Sequence, residues 1–522
     1  ATDVDVPRPA IDDLRSDASR LQEAVAAAGT PALCMSLTVL AAAPVDLRAN
    51  NWRTRAVVRR PGKDAIGGAK GEIVALLPAG TAPVGAAIDI GTTKLAAYLV
   101  DLESGKTVAK GAAPNPQAAM GEDVMSRIAY EEAHAAGGRD LHTVLLDAIN
   151  RLLAQLREEI GCPLSHIVDV VAVGNTAMHH TFTSLPLRQL GACPYVPAVS
   201  DALELRAGDV GLDVAPGAYV YLPPNIAGFV GADHIAVLLA SRATESQKTL
   251  LVIDIGTNTE VSVVSHGRLW TCSCASGPAF EGAHIRDGMR AMDGAIERVG
   301  FLEGRFHIHT IGDRPPQGIC GSGVLDAIAA ARRAGALDDR GGFRQAHPAV
   351  TGLPAGPATI LAPSGSTSHG REIALTRADV GEIQLAKAAI RAGTELLLSA
   401  ADTQAAEIDE VIIAGAFGTY LDIDSAVTVG MLPSLAPERY RQVGNAAGLG
   451  AQQMLVSRTS REKASRISQL AQYVELTTHP GFADAFAEQL MFPPVPSASA
   501  TPEPEHPGLH AAHNKFRGRR FR

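Results

Sequence analysis

Two short segments contain residues whose types and spacing could bind phosphate. The first reads Asp-Ile-Gly-Thr-Thr-Lys at 89–94, and the second reads Asp-Ile-Gly-Thr-Asn-Thr at 254–259. A glycine lets the backbone turn sharply towards a ligand, and free N–H groups in such a turn form an anion-binding concavity. An aspartate at the end of a buried strand suits Mg²⁺, which keeps several of its waters. One segment alone could equally be a hairpin turn built from common turn residues, but two copies favour a phosphate site.

Both segments lie in the same pattern of predicted strands. An apolar run precedes each one (84–90 and 250–255), a second run follows (94–100 and 260–264), and a polar turn leads to a third. Such a long internal repeat predicts a duplicated structural unit. Two copies that face each other would hold a polyphosphate and its Mg²⁺ from both sides, with Asp89 and Asp254 across a cleft.

Composition excludes several classes of function. The 522 residues are 46% hydrophobic and 19% charged, as is ordinary for a globular protein with a large core. The net charge of −9 argues against a general nucleic-acid binder. The longest apolar stretch, 31–45, is too short and too interrupted to span a membrane. Six cysteines without a regular framework predict reduced thiols in a cytoplasmic protein.

The chain is predicted to contain five parts. Residues 1–22 are polar and resemble a linker, 23–82 form a small α/β module, and 83–248 and 249–492 are the two repeat-bearing halves. Residues 493–522 are rich in Pro, Ser and His and end in a basic run, which predicts a disordered tail.

Glycine-rich junctions follow three other predicted strands, at 174–176, 318–323 and 415–418. Each is expected to lead into a helix, the last over 419–427, and such helix starts suit phosphates or nucleotides. Close packing would explain the same glycines. Cys272, Cys274, Cys320 and Cys34 lack the spacing of a cluster site, so we expect buried thiols. The adjacent His179 and His180 point in different directions on a helix and favour packing or surface roles.

The repeat together with Ala-Gly-Ala-Phe-Gly at 414–418 resembles the actin/sugar-kinase/Hsp70 (ASKHA) superfamily, in which two ribonuclease-H-like halves enclose a nucleotide. Further segments resemble the reductive activators of corrinoid proteins: Val-Gly-Asn-Thr-Ala-Met-His at 173–179, Asn-Ile-Ala-Gly-Phe-Val-Gly-Ala-Asp at 225–233, Gly-Pro-Ala-Phe-Glu-Gly-Ala at 277–283 and Val-Gly-Asn-Ala-Ala at 443–447. These ATPases reduce the Co(II) state of a corrinoid methyl carrier to Co(I). The resemblance covers about 10–492 and implies that 23–82 is that family's middle domain.

The resemblance also implies which residues bind Mg-ATP. Asp89 and Asp254 would lie at the Mg²⁺, through water, and Asp254 is a candidate for catalysis beside Asp233 and Glu260. The first phosphate hairpin would contain Asp89, Gly91, Thr92, Thr93 and Lys94. The second would contain Gly256, Thr257, Asn258 and Thr259. The adenosine would lie along Gly415, Ala416, Phe417 and Gly418, with Gln384 and Lys387 nearby.

Partners and alternatives follow from the same resemblance. It implies a corrinoid protein of a methyltransferase system, an electron donor such as a ferredoxin or reductase, and neither nucleic acid nor membrane; a homodimer is compatible with it. Such activators carry a [2Fe-2S] domain, whose four cysteines this sequence lacks, and we expect that module before Ala1. The alternatives are a small-molecule kinase and an ATP-switched binding module on the same clamp.

Overall fold

The computed structural model describes residues 1–29, 34–60 and 71–495. The predicted disordered tail therefore lies almost entirely outside the described residues. No helix in the described part of the chain has the length and apolar character needed to cross a membrane.

The N-terminal module is a four-stranded sheet with two helices on one side. Its elements are β1 (Thr2–Asp5), α1 (Asp17–Ala27), β2 (Cys34–Met35), α2 (Leu37–Ala49), β3 (Arg53–Arg59) and β4 (Glu72–Pro78). The sheet order is β1-β3-β4-β2, and Leu21, Leu47 and Ile73 are buried between the layers. The polar composition predicts a linker over residues 1–22, and the structure places their strand β1 in the same sheet as β3.

The first half contains a six-stranded sheet in the order β7-β6-β5-β8-β10-β9. Its strands are β5 (Val84–Ile90), β6 (Lys94–Asp101), β7 (Thr107–Pro114), β8 (Ile167–Gly174), β9 (Leu203–Arg206) and β10 (Tyr219–Leu222). Its helices are α3 (Val124–Ala133), α4 (Gly137–Glu159), α5 (Thr176–Phe182) and α6 (Ala232–Ala240). Helix α4 covers one face because Leu145, Ile149 and Leu156 recur at helical spacing and are all buried.

The second half repeats this arrangement with the sheet order β21-β20-β11-β12-β13-β22. Its strands are β11 (Leu250–Ile255), β12 (Thr259–Ser265), β13 (Arg268–Cys274), β14 (Ala295–Leu302), β15 (Arg305–Thr310), β16 (Gly318–Ile319), β17 (Thr351–Leu353), β18 (Gly356–Ala362), β19 (Ile373–Thr376), β20 (Glu410–Ala414), β21 (Tyr440–Gly444) and β22 (Ala471–Tyr473). Its helices are α7 (Gly321–Arg333), α8 (Arg377–Ala400), α9 (Ile423–Thr428), α10 (Ala446–Val456), α11 (Arg458–Leu470) and α12 (Phe482–Gln489). Strands β14–β16 and β17–β19 form two small three-stranded sheets.

Five strands of each large sheet share one topology, which confirms the predicted duplication. The sixth strand differs, since β9 pairs with β10 and β22 pairs with β13. In each, three antiparallel strands are followed by two strands that run parallel to the first of them: β8 and β10 in the first half, β20 and β21 in the second. The carboxyl ends of the parallel strands therefore gather at one edge of each sheet. Ligands of open α/β sheets bind at this edge.

The halves join through a common hydrophobic base. One buried cluster combines Ala87 and Val171 of the first sheet with Val252 and Ile412 of the second, and α6 and α10 lie within it. The two helices approach closely: a Cβ added at Gly450 would lie 2.2 Å from the carbonyl oxygen of Ala236. The base is thus densely packed, and the site lies above it.

One predicted helix is shorter than expected. The segment after the third glycine junction was predicted to be helical over 419–427, but a short 3₁₀ turn comes first (Phe417–Thr419) and α9 begins only at Ile423. Asp422 is its N-cap and accepts a hydrogen bond from the Ser425 N–H. The glycine turn consequently does not open directly into a helix.

Candidate active site

Both Asp-Ile-Gly-Thr segments form tight hairpins at equivalent strand ends. Asp89 lies next to the end of β5, and Asp254 lies next to the end of β11. In the first hairpin the Gly91 N–H donates to the Lys94 carbonyl over 3.0 Å, and a Cβ at Gly91 would lie 2.6 Å from that oxygen. A Cβ at Gly256 would lie 2.9 Å from the Asn258 carbonyl oxygen. Both turns are therefore tight enough to favour glycine, as the sequence predicted.

The first hairpin is held from behind by buried polar side chains. Arg127 is 1% exposed and donates to the Thr92 carbonyl over 2.5 Å. The Asn115 side-chain amide donates to the Gly91 carbonyl over 3.0 Å, and the Asn175 amide donates to the Thr92 hydroxyl over 3.0 Å. Burial lowers the pKa of Arg127 to about 10, so it stays charged at neutral pH. These contacts fix the hairpin before any ligand arrives.

A single carboxylate connects the two hairpins. The Thr257 hydroxyl donates to Glu281 Oε1 over 2.7 Å, and the Thr93 hydroxyl donates to the same oxygen over 3.5 Å. The second hairpin is also braced by Thr259, whose hydroxyl lies 2.8 Å from that of Ser276. The two hairpins therefore face each other across Glu281, and their binding of phosphate stays a prediction.

Four acidic groups lie deep in this cleft. Burial, and then the charges of Asp233 and Asp89, raise the pKa of Asp254 to about 8. Burial raises the pKa of Asp89 to about 6, against the lowering effects of Asn445 and Lys94. The pKa of Asp233 rises to about 7 for the same principal reason. Burial also raises that of Glu260, with repulsion from Asp233 and Asp254. The carboxylates therefore repel one another, which a bound cation would relieve.

The donor set fits a cation that keeps its own waters. Within 1–29, 34–60 and 71–495, no three His, Cys, Asp or Glu side chains are arranged to ligate a metal ion directly. Mg²⁺ commonly binds proteins through one or two carboxylates with water filling the other positions. Asp89 and Asp254, on equivalent strands of the two halves, are the residues that would hold it.

The glycine turn after β20 lies against the second hairpin. Gly415 has φ of +90°, and a Cβ there would lie 2.3 Å from the Ile255 carbonyl oxygen and 3.1 Å from Asp254 Oδ1. Phe417 stacks on Phe280 with ring centroids 4.8 Å apart. Gly321, at the start of α7, lies beneath Phe280, since a Cβ there would be 1.9 Å from its carbonyl oxygen. The glycine-rich segments at 277–283, 318–323 and 415–418 therefore pack together, and the last of them contacts Asp254.

Asn445 is a site residue that the repeat did not reveal. Its side-chain amide donates to Asp89 Oδ2 over 2.8 Å, while its Oδ1 accepts from the Gly448 N–H and caps α10. A signal was present, because Gly-Asn follows a strand and precedes a helix both here and at Gly174-Asn175. Asn445 thus connects the end of a second-half strand to the aspartate of the first hairpin.

Gln384 and Lys387 contact the chain's own C-terminal segment. Gln384 donates to the Leu490 carbonyl over 2.8 Å, and Lys387 donates to the Met491 carbonyl over 2.5 Å. Phe492 packs there, with Lys387 Nζ 5.3 Å from its ring centroid. Burial lowers the pKa of Lys387 to about 7. These contacts give the two side chains a structural role, and their role towards a nucleotide stays a prediction.

The cysteines do not fit an iron–sulfur cluster. Cys272 and Cys274 are buried with their Sγ atoms 3.9 Å apart, and the space beside them is filled by the backbone of Gly393. Cys320 is also buried and directs its thiol to the Ile296 carbonyl over 3.3 Å. Cys34 is exposed, which contradicts the expectation of a buried thiol. Buried thiols are thus confirmed for three of the four.

Both histidines of the pair are buried. His180 Nδ1 lies 2.8 Å from the Thr176 carbonyl oxygen, and its Nε2 accepts from the Ala198 N–H over 2.9 Å. Burial lowers the pKa of His179 to about 3, so this ring stays neutral. The packing role that the sequence favoured is therefore the one that the structure supports.

Comparison with known proteins gives this geometry a family. A model described as the C-terminal, ASKHA domain of RACo matches residues 248–501, and models of the RACo middle region and linker match 84–246 and 1–82. The family models divide the chain near residues 82 and 247; residues 23–82 fall in the region described as the linker, and the region described as the middle is the first half.

Two curated relatives and one solved structure match over most of the chain. The corrinoid activation enzyme RamQ of Eubacterium limosum is 36% identical over 417 residues, 78% of this chain and 70% of the relative. A [Co(II) methylated amine-specific corrinoid protein] reductase of Methanosarcina barkeri is 26% identical over 78% of this chain and 77% of that protein. The structure of a reductive activator for a corrinoid, iron-sulfur protein has a TM-score of 0.82 and 36% identity, over 94% of this chain and 78% of that one. The chain therefore belongs to the RACo family of reductive activators of corrinoid proteins.

Proposed function

We propose that this chain binds Mg-ATP between its halves and uses it to drive the reduction of a corrinoid protein from Co(II) to Co(I). The observation that carries the nucleotide part is the pair of facing hairpins, whose Thr93 and Thr257 hydroxyls reach one carboxylate. The relatives named above support the corrinoid part, since one is called a corrinoid activation enzyme and another a Co(II) corrinoid protein reductase.

Different residues of the cleft bind the phosphates, the adenosine and the Mg²⁺. Backbone N–H groups of the two hairpins donate to the phosphates, and Lys94 adds a positive charge. The turn at 415–418, with Phe417 packed on Phe280, offers an apolar surface for the adenosine. Mg²⁺ at Asp89 and Asp254 would neutralise phosphate charge and the mutual repulsion of the acids.

ATP is needed because Co(I) lies uphill from biological electron donors. The packed base keeps the halves together. At the mouth, among the described residues, the Thr93 hydroxyl contacts Glu281 and Glu122 lies 3.9 Å from His284. A ligand that touches both hairpins binds the closed arrangement better than the open one, and it shifts the equilibrium by that difference. Closure would alter the surface presented to the corrinoid partner. The electron would come from an iron–sulfur module or from a separate ferredoxin or reductase.

The test uses the purified chain with a corrinoid protein held in the Co(II) state and a chemical reductant. Absorbance spectroscopy should show Co(I) only when ATP and Mg²⁺ are both present, and ATP hydrolysis should rise when the Co(II) partner is added. The variant Thr257→Val should lose both effects, because it removes a hydroxyl donor of the second hairpin without changing side-chain size.

Two outcomes would contradict the proposal. If no corrinoid protein stimulates hydrolysis or forms Co(I), the chain has another activity on the same clamp. A phosphorylated product from sugars or acids would indicate a kinase, and ATP-dependent partner binding without reduction would indicate a switch.

A further inference from the structure

Glu281 lies between the two hairpins, where phosphate binding alone does not give a carboxylate a role. It ends the short turn Pro278–Glu281, which is flanked by Gly277 at φ of +71° and Gly282 at φ of +83°. A Cβ at Gly282 would lie 2.7 Å from the Met289 carbonyl oxygen. The turn is therefore specified by its glycines, and it delivers one carboxylate between the two hairpins.

Only one oxygen of this carboxylate is used. Oε1 accepts from Thr257 and from Thr93, whereas Oε2 is sealed from solvent and has no hydrogen-bond partner in the structure. Buried polar atoms in folded proteins almost always have a partner. In many active sites, hydrogen bonds orient a base while another of its atoms takes the proton. A carboxylate that is held through Oε1 and has Oε2 unpaired has this arrangement.

The groups that act on the pKa of Glu281 differ from those that act on the acids deeper in the cleft. Asp89, Asp233 and Asp254 act on one another's charge. The groups that act on Glu281 are instead the two threonines and Arg290, which oppose the rise in its pKa that burial causes. The three aspartates suit a cation, and Glu281 remains free to take a proton.

We propose that Glu281 is the catalytic base of nucleotide hydrolysis in this cleft, an inference that rests on the proposed function. A water molecule enclosed together with Mg-ATP lies beside Oε2, which is otherwise sealed from solvent, and attacks the terminal phosphorus of ATP. A new O–P bond forms as the bond from that phosphorus to the bridging oxygen breaks, which gives ADP and phosphate. The proton of the attacking water passes to Oε2 and reaches solvent when the products leave, while Thr93 and Thr257 hold the other oxygen in place.

The variant Glu281→Gln separates catalysis from structure. The amide oxygen of Gln can still accept from both threonines, so the contact between the hairpins is kept, but the side chain cannot take a proton. General base catalysis contributes about 10²–10⁴-fold. We therefore expect single-turnover hydrolysis at saturating Mg-ATP to fall at least about 100-fold, with the Kd for Mg-ATP within about threefold of the wild type. Glu281→Asp should recover part of the rate.

The matched control is Glu438→Gln, an exposed position in the turn just before β21. It lies at the amino end of this strand, whereas the hairpins lie near the carboxyl ends of the parallel strands. It should change neither the rate nor the Kd. A wild-type rate in a folded Glu281→Gln variant would overturn the assignment, as would an equal loss of binding and rate, which would show a bridging role alone. If the wild-type protein binds no Mg-ATP in the same titration, the proposed function fails instead.

Discussion

Replacing Asp254 with asparagine should make the nucleotide-free protein more stable while impairing its activity. Its pKa rises from 3.8 to about 8 in the folded protein. Between these values the unfolded chain ionises while the folded chain keeps its proton, so wild-type stability falls as the pH rises from about 4 to 8. At pH 7.5 the difference of about 3.7 pH units corresponds to about 5 kcal/mol.

The measured gain should be smaller, because water and the neighbouring side chains relax around a buried charge. We expect the free energy of unfolding of Asp254→Asn to exceed that of the wild type by at least about 2 kcal/mol at pH 7.5. This corresponds to about 4–8 °C in Tm for a cooperative unit of about 150–250 residues, the size of the second half. Thermal unfolding followed by circular dichroism at several pH values, with EDTA present, measures it. The difference in stability between the variant and the wild type should vanish near pH 4 and grow towards pH 8. Adding Mg²⁺ with a non-hydrolysable ATP analogue should make this difference smaller.

A matched control is Asp147→Asn, an exposed position on α4. Surface substitutions of this kind usually change stability by less than about 0.5 kcal/mol at any pH. A folded Asp254→Asn variant that is no more stable than the wild type at pH 8 would refute the argument that burial and repulsion keep this carboxyl protonated.

Three further changes test the supports of the site. Arg127→Met leaves the Thr92 and Gly121 carbonyls without their charged donor, and it should cost about 3 kcal/mol or more in urea unfolding; an unchanged midpoint would contradict this. Gly415→Ala puts a Cβ against the Ile255 carbonyl, so we expect a loss of at least about 2 kcal/mol and weaker ATP binding by calorimetry. Asn445→Ala removes a cap and should cost about 1 kcal/mol, and NMR titration should show a higher pKa for Asp89; an unshifted pKa would count against the contact.

The parts of the site that the sequence predicted are local. An apolar run, a glycine and two hydroxyl residues define a strand and its turn within a dozen residues, so both hairpins could be placed without tertiary information. The repeat then predicted that the hairpins face each other. The glycine turn at 415–418 was placed for the same reason, since its strand and its glycines are adjacent in the sequence.

The parts that were missed depend on contacts between distant segments. Asn445 reaches Asp89 across 356 positions, and Thr93 reaches Glu281 across 188. No pattern near Asn445 or Glu281 shows which acid or hydroxyl it will meet. The contacts of Gln384 and Lys387 with the chain's own segment at 490–492 are also between distant positions and could not be read from the sequence, and the role of both residues towards a nucleotide stays a prediction.

The uneven packing between the halves has a mechanical consequence. At the base, α6 and α10 touch backbone to backbone, so the joint there is stiff and allows little sliding. At the other end, within the described part of the chain, the Thr93 hydroxyl reaches Glu281 and the His284 imidazole lies 3.9 Å from Glu122. Rotation about the stiff end is therefore the least costly relative motion, and displacement grows with distance from the pivot. A displacement of less than an ångström at the phosphates then becomes a larger displacement at the outer rim. The surface available to a docked macromolecule would change shape accordingly.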